Sequence, residues 1–265
     1  SAICLENTRS LINALETIHR FGIRAFRVSS QFFPRYTHPE VGYTLDVLPD
    51  FEGISSNLER VKQLHDKLNI RLSFHPDQFV LLSSPSSEVT RKSIVELDYQ
   101  ATLAELIGAD VINIHGGGVY GDKQSAFKRL CENFQQLPER VKSRLTLEND
   151  DSSYTVEDLL PICSDLKIPM VFDAHHHRCN PDRLSIAEAT YACIESWRVT
   201  KRGEPYFHIS SPKNGWDSLN WKPHADQIDV DDFPDIWLGL DATVDVEAKD
   251  KEKAIIQLMK QLSLC

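Results

Sequence analysis

The stretch Val171-Phe172-Asp173-Ala174-His175-His176-His177 decides how the rest of the chain is read. Together with Met170, its first residues form an apolar run; a carboxylate and three imidazoles follow. That order predicts a buried strand delivering ligands at its C-terminal end. Neutral imidazole and ionised carboxylate are donors that a divalent cation takes, and a strand end holds them rigidly. The same letters also fit a polar strand end facing solvent, or a solvated histidine run of the kind an affinity tag carries. The flanking sequence decides between these readings.

Working outward, the pattern recurs. Arg144 to Leu147 runs into Glu148, Asp110 to Ile114 into His115, and Arg71 to Phe74 into His75. Downstream, Pro205 to Ile209 carries His208, and Val244 to Val246 leads into Glu247. Ile23 to Ser29 is a further strand. Between the strands lie helical patterns: Leu11, Leu15, Ile18 and Phe21; Leu58, Val61, Leu64 and Leu68; Ile94, Leu97, Ala101, Ala104 and Ile107. The first is expected to start near Asn7 or Thr8, the second to be capped by Ser55 or Ser56. Thr155-x-x-Asp158 and Ser185-x-x-Glu188 read as capping boxes. Apolar strands alternating with amphipathic helices predict a parallel sheet covered by helices, an α/β protein of the TIM (β/α)₈ barrel type. Seven strands are legible where eight are needed. The chain opens inside an expected helix, so the barrel's first strand is expected upstream of Ser1. One domain over residues 1–265 is expected.

Composition bounds the function. With 41% hydrophobic and 26% charged residues, the 265-residue chain supports a sizeable core and is not disordered. A formal charge of −10 argues against indiscriminate nucleic-acid binding, although bound cations add local positive charge that residue counting omits. No apolar run approaches a membrane span of about 20 residues, and no signal peptide is legible. Cys4, Cys131, Cys163, Cys179, Cys193 and Cys265 have no zinc-type spacing and read as reduced packing thiols of a cytoplasmic protein.

In a parallel barrel the active site lies at the C-terminal strand ends. Here those ends carry His75, His115, Glu148, Asp173 with His175 to His177, His208 and Glu247. So many carboxylates and imidazoles converging on one mouth would be costly without cations to pair them. The expectation is a cluster of two or three divalent ions, Mn²⁺ foremost with Mg²⁺ or Zn²⁺ as alternatives, since no cysteine joins the set. Such clusters suit phosphodiester hydrolysis. His19 and His65, on helix faces, are assigned structural roles. Gly116 to Gly118 fit either a close backbone approach to a phosphate or a flexible turn.

The motifs S-F-H-P-D-Q-F (73–79), N-I-H-G-G-G-V-Y-G-D-K (113–123), L-E-N-D-D (147–151), V-F-D-A-H-H-H (171–177), H-I-S-S-P (208–212) and V-E-A-K-D-K-E (246–252) together resemble the UV damage endonucleases, relatives of endonuclease IV among the xylose-isomerase-like barrels. The resemblance runs from about Glu6 to the last helix. It implies a metal-dependent barrel that nicks damaged double-stranded DNA immediately 5′ of cyclobutane dimers, 6-4 photoproducts and abasic sites, acting as a monomer away from membranes. By position it implies Glu148, Asp173, His208 and Glu247 at one metal, His75 and His115 sharing Glu148 at a second, and His176 and His224, with Asp226, at a third. It places Glu148, His38, His115 and His208 in the catalytic set, and makes Gln78 and Phe79 the pair that probes the duplex. Phe79 stands where the family usually has tyrosine, and Tyr206 where it often has a lysine. Rival readings are a general abasic-site endonuclease, a sugar isomerase, and a catalytically silent damage-binding protein.

Overall fold

In chain order the elements of the computed structural model, which describes residues 1–264, are α1 (Ala2–Arg20), β1 (Ala25–Val28), α2 (Phe51–Leu68), β2 (Arg71–Phe74), α3 (Ser87–Ile107), β3 (Val111–His115), α4 (Lys123–Gln135), α5 (Glu139–Lys142), β4 (Leu145–Glu148), α6 (Val156–Leu166), β5 (Met170–Asp173), α7 (Ala174–Cys179), α8 (Ile186–Thr200), β6 (Tyr206–Ile209), β7 (Thr243–Val246) and α9 (Glu252–Gln261). The seven strands form one sheet in chain order. Paired strands run parallel, with registers such as Phe74↔Ile112 and Asp173↔His208. This is the TIM-barrel class, with seven strands among the described residues. Every strand expected from the sequence is present.

The chain divides into two compact units. The first comprises Ser1–Val80, Ser86–Asn113 and Leu137–Arg144; the second comprises Leu81–Pro85, Ile114–Gln136 and Leu145–Cys265. In the first, α1 buries Cys4, Thr8, Leu11, Leu15 and Ile18, and α2 buries Ile54, Leu58, Val61 and Leu64, each a helical stripe. Each large apolar side chain taken out of water contributes about 1.5–3 kcal/mol. Arg140 grips both carboxylate oxygens of Asp98 at 2.7 Å, fastening α5 to α3.

In the second unit β4, β5 and β6 are buried along their whole length; Thr146, Glu148, Asp173 and His208 interrupt otherwise apolar strands. Helix α8 is bolted to β5 by Trp197 Nε1 donating to the Met170 carbonyl at 2.8 Å and by Met170 N donating to Ser196 Oγ at 2.9 Å. Trp237 stacks on Phe207 at 4.8 Å and donates to Thr190 Oγ1 at 2.9 Å. Both capping boxes form as expected, at Thr155/Asp158 and Ser185/Glu188. No helix among the described residues is long and apolar enough to cross a membrane.

Two helix starts differ from expectation. α1 begins at Ala2 rather than near Asn7, and α2 begins at Phe51 behind Asp50 rather than behind Ser55 or Ser56. In both, the first turn buries an apolar side chain, Cys4 or Ile54. That burial extends the helix past residues that would otherwise favour a cap. Cys4, Cys131, Cys163, Cys179 and Cys193 are free thiols, as expected; Cys265 lies outside the described residues.

Candidate metal centre

Strand β5 ends at Asp173, which is buried and N-caps α7: its Oδ1 accepts from His176 N at 2.7 Å. Its other oxygen, Oδ2, is buried without a hydrogen-bond partner among the described residues. The solvent-facing and tag-like readings of this stretch therefore fail. The three histidines separate because a helix turns each residue by about 100°. His177 Nε2 lies 2.9 Å from the Leu184 carbonyl and serves packing. His175 is buried against Trp216 (5.4 Å) and Cys179, and burial lowers its pKa, favouring the neutral ring. Of the three, His176 faces Glu148 and Asp173, with Nδ1 3.2 Å from Glu148 Oε1 and 3.5 Å from Asp173 Oδ2, while His177 Nδ1 lies 3.9 Å from Asp182.

Glu148, at the end of β4, is wholly buried and is the hub. His208 Nδ1 lies 3.2 Å from Oε1, and His115 Nε2 lies 4.0 Å from Oε2. His208 Nδ1 is also 3.4 Å from Glu247 Oε1, whose other oxygen is 3.5 Å from His224 Nδ1. One donor atom from each of Glu148, Asp173 and His176 falls within a 4.8 Å group, close enough to share a cation. Burial alone would raise the Glu148 carboxyl, but His208 and His115, with hydrogen bonds from His176 and His208, hold it well below the usual range. Burial would likewise depress His208, yet Glu148, Glu247 and Asp245 raise it to about 9. His176 rises for the same reason, against its own burial, through Asp173, Glu148 and Glu247. Without a cation, imidazolium protons balance the carboxylates. Oxygen and nitrogen donors in this arrangement, with a bare carboxylate oxygen on Asp173, fit a divalent metal.

Other expected site residues are placed as follows. His75 closes β2 in the first unit, with Nδ1 3.2 Å from the Pro76 carbonyl. His38 is exposed, its Nδ1 accepting from Glu40 N and Val41 N at 3.2 and 3.3 Å. Phe79 is 72% exposed at the tip of a turn held by Asp77 Oδ1 and Val80 N, and Gln78 is exposed beside it. His38 and Phe79 both line a cleft of about 590 Å³ within the first unit, with Arg35 and Arg91. Asp226 is exposed and lies 4.0 Å from Lys249 rather than among the histidines. His19 and His65 are structural: Nδ1 of His65 lies 2.6 Å from the Ile70 carbonyl, and that of His19 2.6 Å from Arg24. Tyr206 is buried with its ring 5.7 Å from that of His208, on the same strand face.

Two residues escaped the sequence reading. Asp245, on β7, places Oδ2 3.8 Å from His208 Nε2. Its strand alternation with Glu247 was the available signal. Asn149 has no periodic signal; its buried carboxamide accepts from Asp173 N and donates to the Asp173 carbonyl, both at 2.9 Å. The glycines after His115 have a packing reason of their own. A Cβ on Gly116 would lie 2.6 Å from the Tyr154 ring, and Gly117 has φ +86° against Ser83, so close packing and a left-handed turn exclude side chains there.

The chain has known relatives. A family profile described as UV-endonuclease UvdE matches residues 1–265. The chain belongs to that family. It is 37% identical to a UV DNA damage endonuclease of Bacillus velezensis, the match covering 96% of this chain and 80% of that protein, and 37% identical to one of Bacillus thuringiensis over 91% and 76%. It superposes on the crystal structure of SacUVDE with a TM-score of 0.89 at 30% identity, covering 99% of this chain and 88% of that one. Endonuclease IV from Thermus thermophilus, at 17% identity and a TM-score of 0.66 over 96% and 95% of the chains, shares the fold. UvdE members are endonucleases acting on DNA, and the buried carboxylate hub sits in such an enzyme here.

Proposed function

We propose that this chain is a DNA repair endonuclease hydrolysing the phosphodiester immediately 5′ of cyclobutane dimers and 6-4 photoproducts, and of abasic sites. The observation that carries this reading is the convergence of His115, His176 and His208 within 4.0 Å of the buried Glu148 carboxylate. Glu148, Asp173, His176, His208, His224, Glu247 and His115 would hold two or three divalent cations, Mn²⁺ foremost. When bound, such ions make hydroxide from water near neutral pH and offset charge on the phosphoryl and leaving oxygens.

The chain's own residues prepare that chemistry. Three carboxylates, Glu148, Asp173 and Glu247, would repel a phosphodiester, so the substrate's anion is admitted only when cations outweigh them. Asp173 keeps one oxygen on the α7 N-terminus and leaves the other for a ligand. Asn149 fixes its backbone, so the carboxylate does not swing. Photolesions stack and pair poorly, so extruding them costs less than extruding normal bases. The exposed Phe79 ring offers a stacking face for the space that they leave, with Gln78 beside it.

Nicking assays on a duplex with one defined photodimer test this. Chelation is expected to abolish nicking and Mn²⁺ to restore it, and Glu148→Ala to be nearly inactive. Full activity in that variant overturns the hub. Cleavage of an abasic duplex but never of the photodimer would restrict the enzyme to abasic sites.

A further inference from the structure

We infer that the hairpin 212–224 is a second DNA-contacting element, whose tip, Leu219 and Trp221, packs into the minor groove of the substrate duplex beside the cleaved bond. The inference rests on the proposed phosphodiester chemistry.

The hairpin is built as a rigid arm. At its base Pro212 and His224 form an antiparallel bridge, with Lys213 N donating to the Pro223 carbonyl at 2.7 Å and Ala225 N to the Ser211 carbonyl at 2.9 Å. Inside it, Trp216 is fixed from three directions. Its Nε1 donates to Asp232 Oδ1 at 2.7 Å, its ring lies 5.4 Å from His175, and the Arg178 guanidinium sits 5.9 Å over it. Trp221 leans on Trp216 at 5.8 Å. Beyond this support the tip is bare: Leu219 is 106% exposed and Trp221 40% exposed. Most of the arm's ordering is thus done before any partner arrives, which favours binding.

Position names the partner. His224, at the arm's base, lies 3.5 Å from Glu247 in the candidate metal centre. Leu219 is five residues away, so its backbone is within about 18 Å of His224. That is about five base-pair steps of a duplex. A duplex whose phosphodiester sits at the metal centre and that runs toward the arm therefore comes within reach of the tip. A narrow hairpin presenting one leucine suits the minor groove, about 6 Å wide, where apolar wedges part base steps. Lys213 sits at the arm's base, and Lys222, next to Trp221 in the chain, lies 3.3 Å from Asp151, which steadies the arm.

The test uses full-length, Mn²⁺-loaded protein and a photodimer duplex made uncleavable at the 5′ linkage, with 2-aminopurine at successive positions near the lesion. Leu219→Ala and Trp221→Ala are expected to weaken binding about tenfold, Trp221 through lost base–aromatic stacking and Leu219 through loss of the apolar wedge. They should also diminish the 2-aminopurine fluorescence rise that reports unstacking. Leu219→Met should retain both signals, with metal content unchanged in all three variants and melting temperature unchanged in the two Leu219 variants. If Leu219→Ala binds within twofold of the unaltered protein and gives the same fluorescence, the inference is wrong. It is equally wrong if Leu219→Asp changes the oligomeric state in sedimentation while leaving DNA affinity intact, since the tip would then face a protein. Failure of the unaltered protein to bind or nick any lesion duplex would instead overturn the proposed function.

Discussion

Replacing Asn149 by alanine should be among the most damaging single changes near the metal centre, although Asn149 carries no charge and binds no metal. Its carboxamide continues the β4–β5 ladder past Glu148↔Val171, pairing with both backbone groups of Asp173 as a peptide unit would. Asn149 and Asp173 are both buried, so no water replaces the lost partner. Each buried group left bare costs about 1–3 kcal/mol, giving about 2–6 kcal/mol for Asn149→Ala. Asn133→Ala, which removes one half-buried bond to the Leu82 carbonyl (2.8 Å), should cost only about 0.5–1.5 kcal/mol. Urea unfolding of the chelated proteins measures the difference. Because Asp173 loses its fixed orientation, Mn²⁺ affinity of Asn149→Ala should also fall about 10–100-fold, measured by calorimetry. A loss below about 1 kcal/mol together with unaltered Mn²⁺ affinity would show that the clamp does not position Asp173.

Three further outcomes are expected. His208 titrates near 9 in the folded protein, above its unfolded value of about 6.5, so its stabilisation of the chelated protein is complete below about 6.5 and lost as pH rises through about 9. Thermal melts of chelated protein should fall over that window while Mn²⁺-saturated protein holds; parallel curves would refute the proton-for-metal exchange. Phe79→Ala should weaken binding to a photodimer duplex by about 1–3 kcal/mol with metal content unchanged; an equal loss on undamaged DNA would signal collapse of the loop. Gly116→Ala drives a methyl to 2.6 Å from the Tyr154 ring and should destabilise by about 1–3 kcal/mol. Denaturation in a Tyr154→Ala background should show that cost removed, and its persistence would place the strain elsewhere.

The strands and the side chains at their ends are legible without any coordinates. A strand buried on both faces must be apolar throughout, so Met170-Val171-Phe172 and its counterparts stand out, and the polar residue that stops each run marks the strand's mouth. Two helix starts are not legible locally because residues 2–7 and 51–56 carry competing signals, and burial of Cys4 and Ile54 settles them only in three dimensions. Three adjacent histidines are equivalent on paper. Only the seating of α7 turns His176 to Glu148 while His177 meets the Leu184 carbonyl and His175 meets Trp216. His224 and Asp226 are two residues apart in sequence, yet one faces Glu247 and the other Lys249. Asn149 acts through a neighbour 24 residues away, so no local pattern announces it, while Asp245, 37 residues from His208, is marked only by its alternation with Glu247. Periodicity records which face of an element is buried; the partner that buries it is set by packing between elements, and there the tertiary structure alone decides.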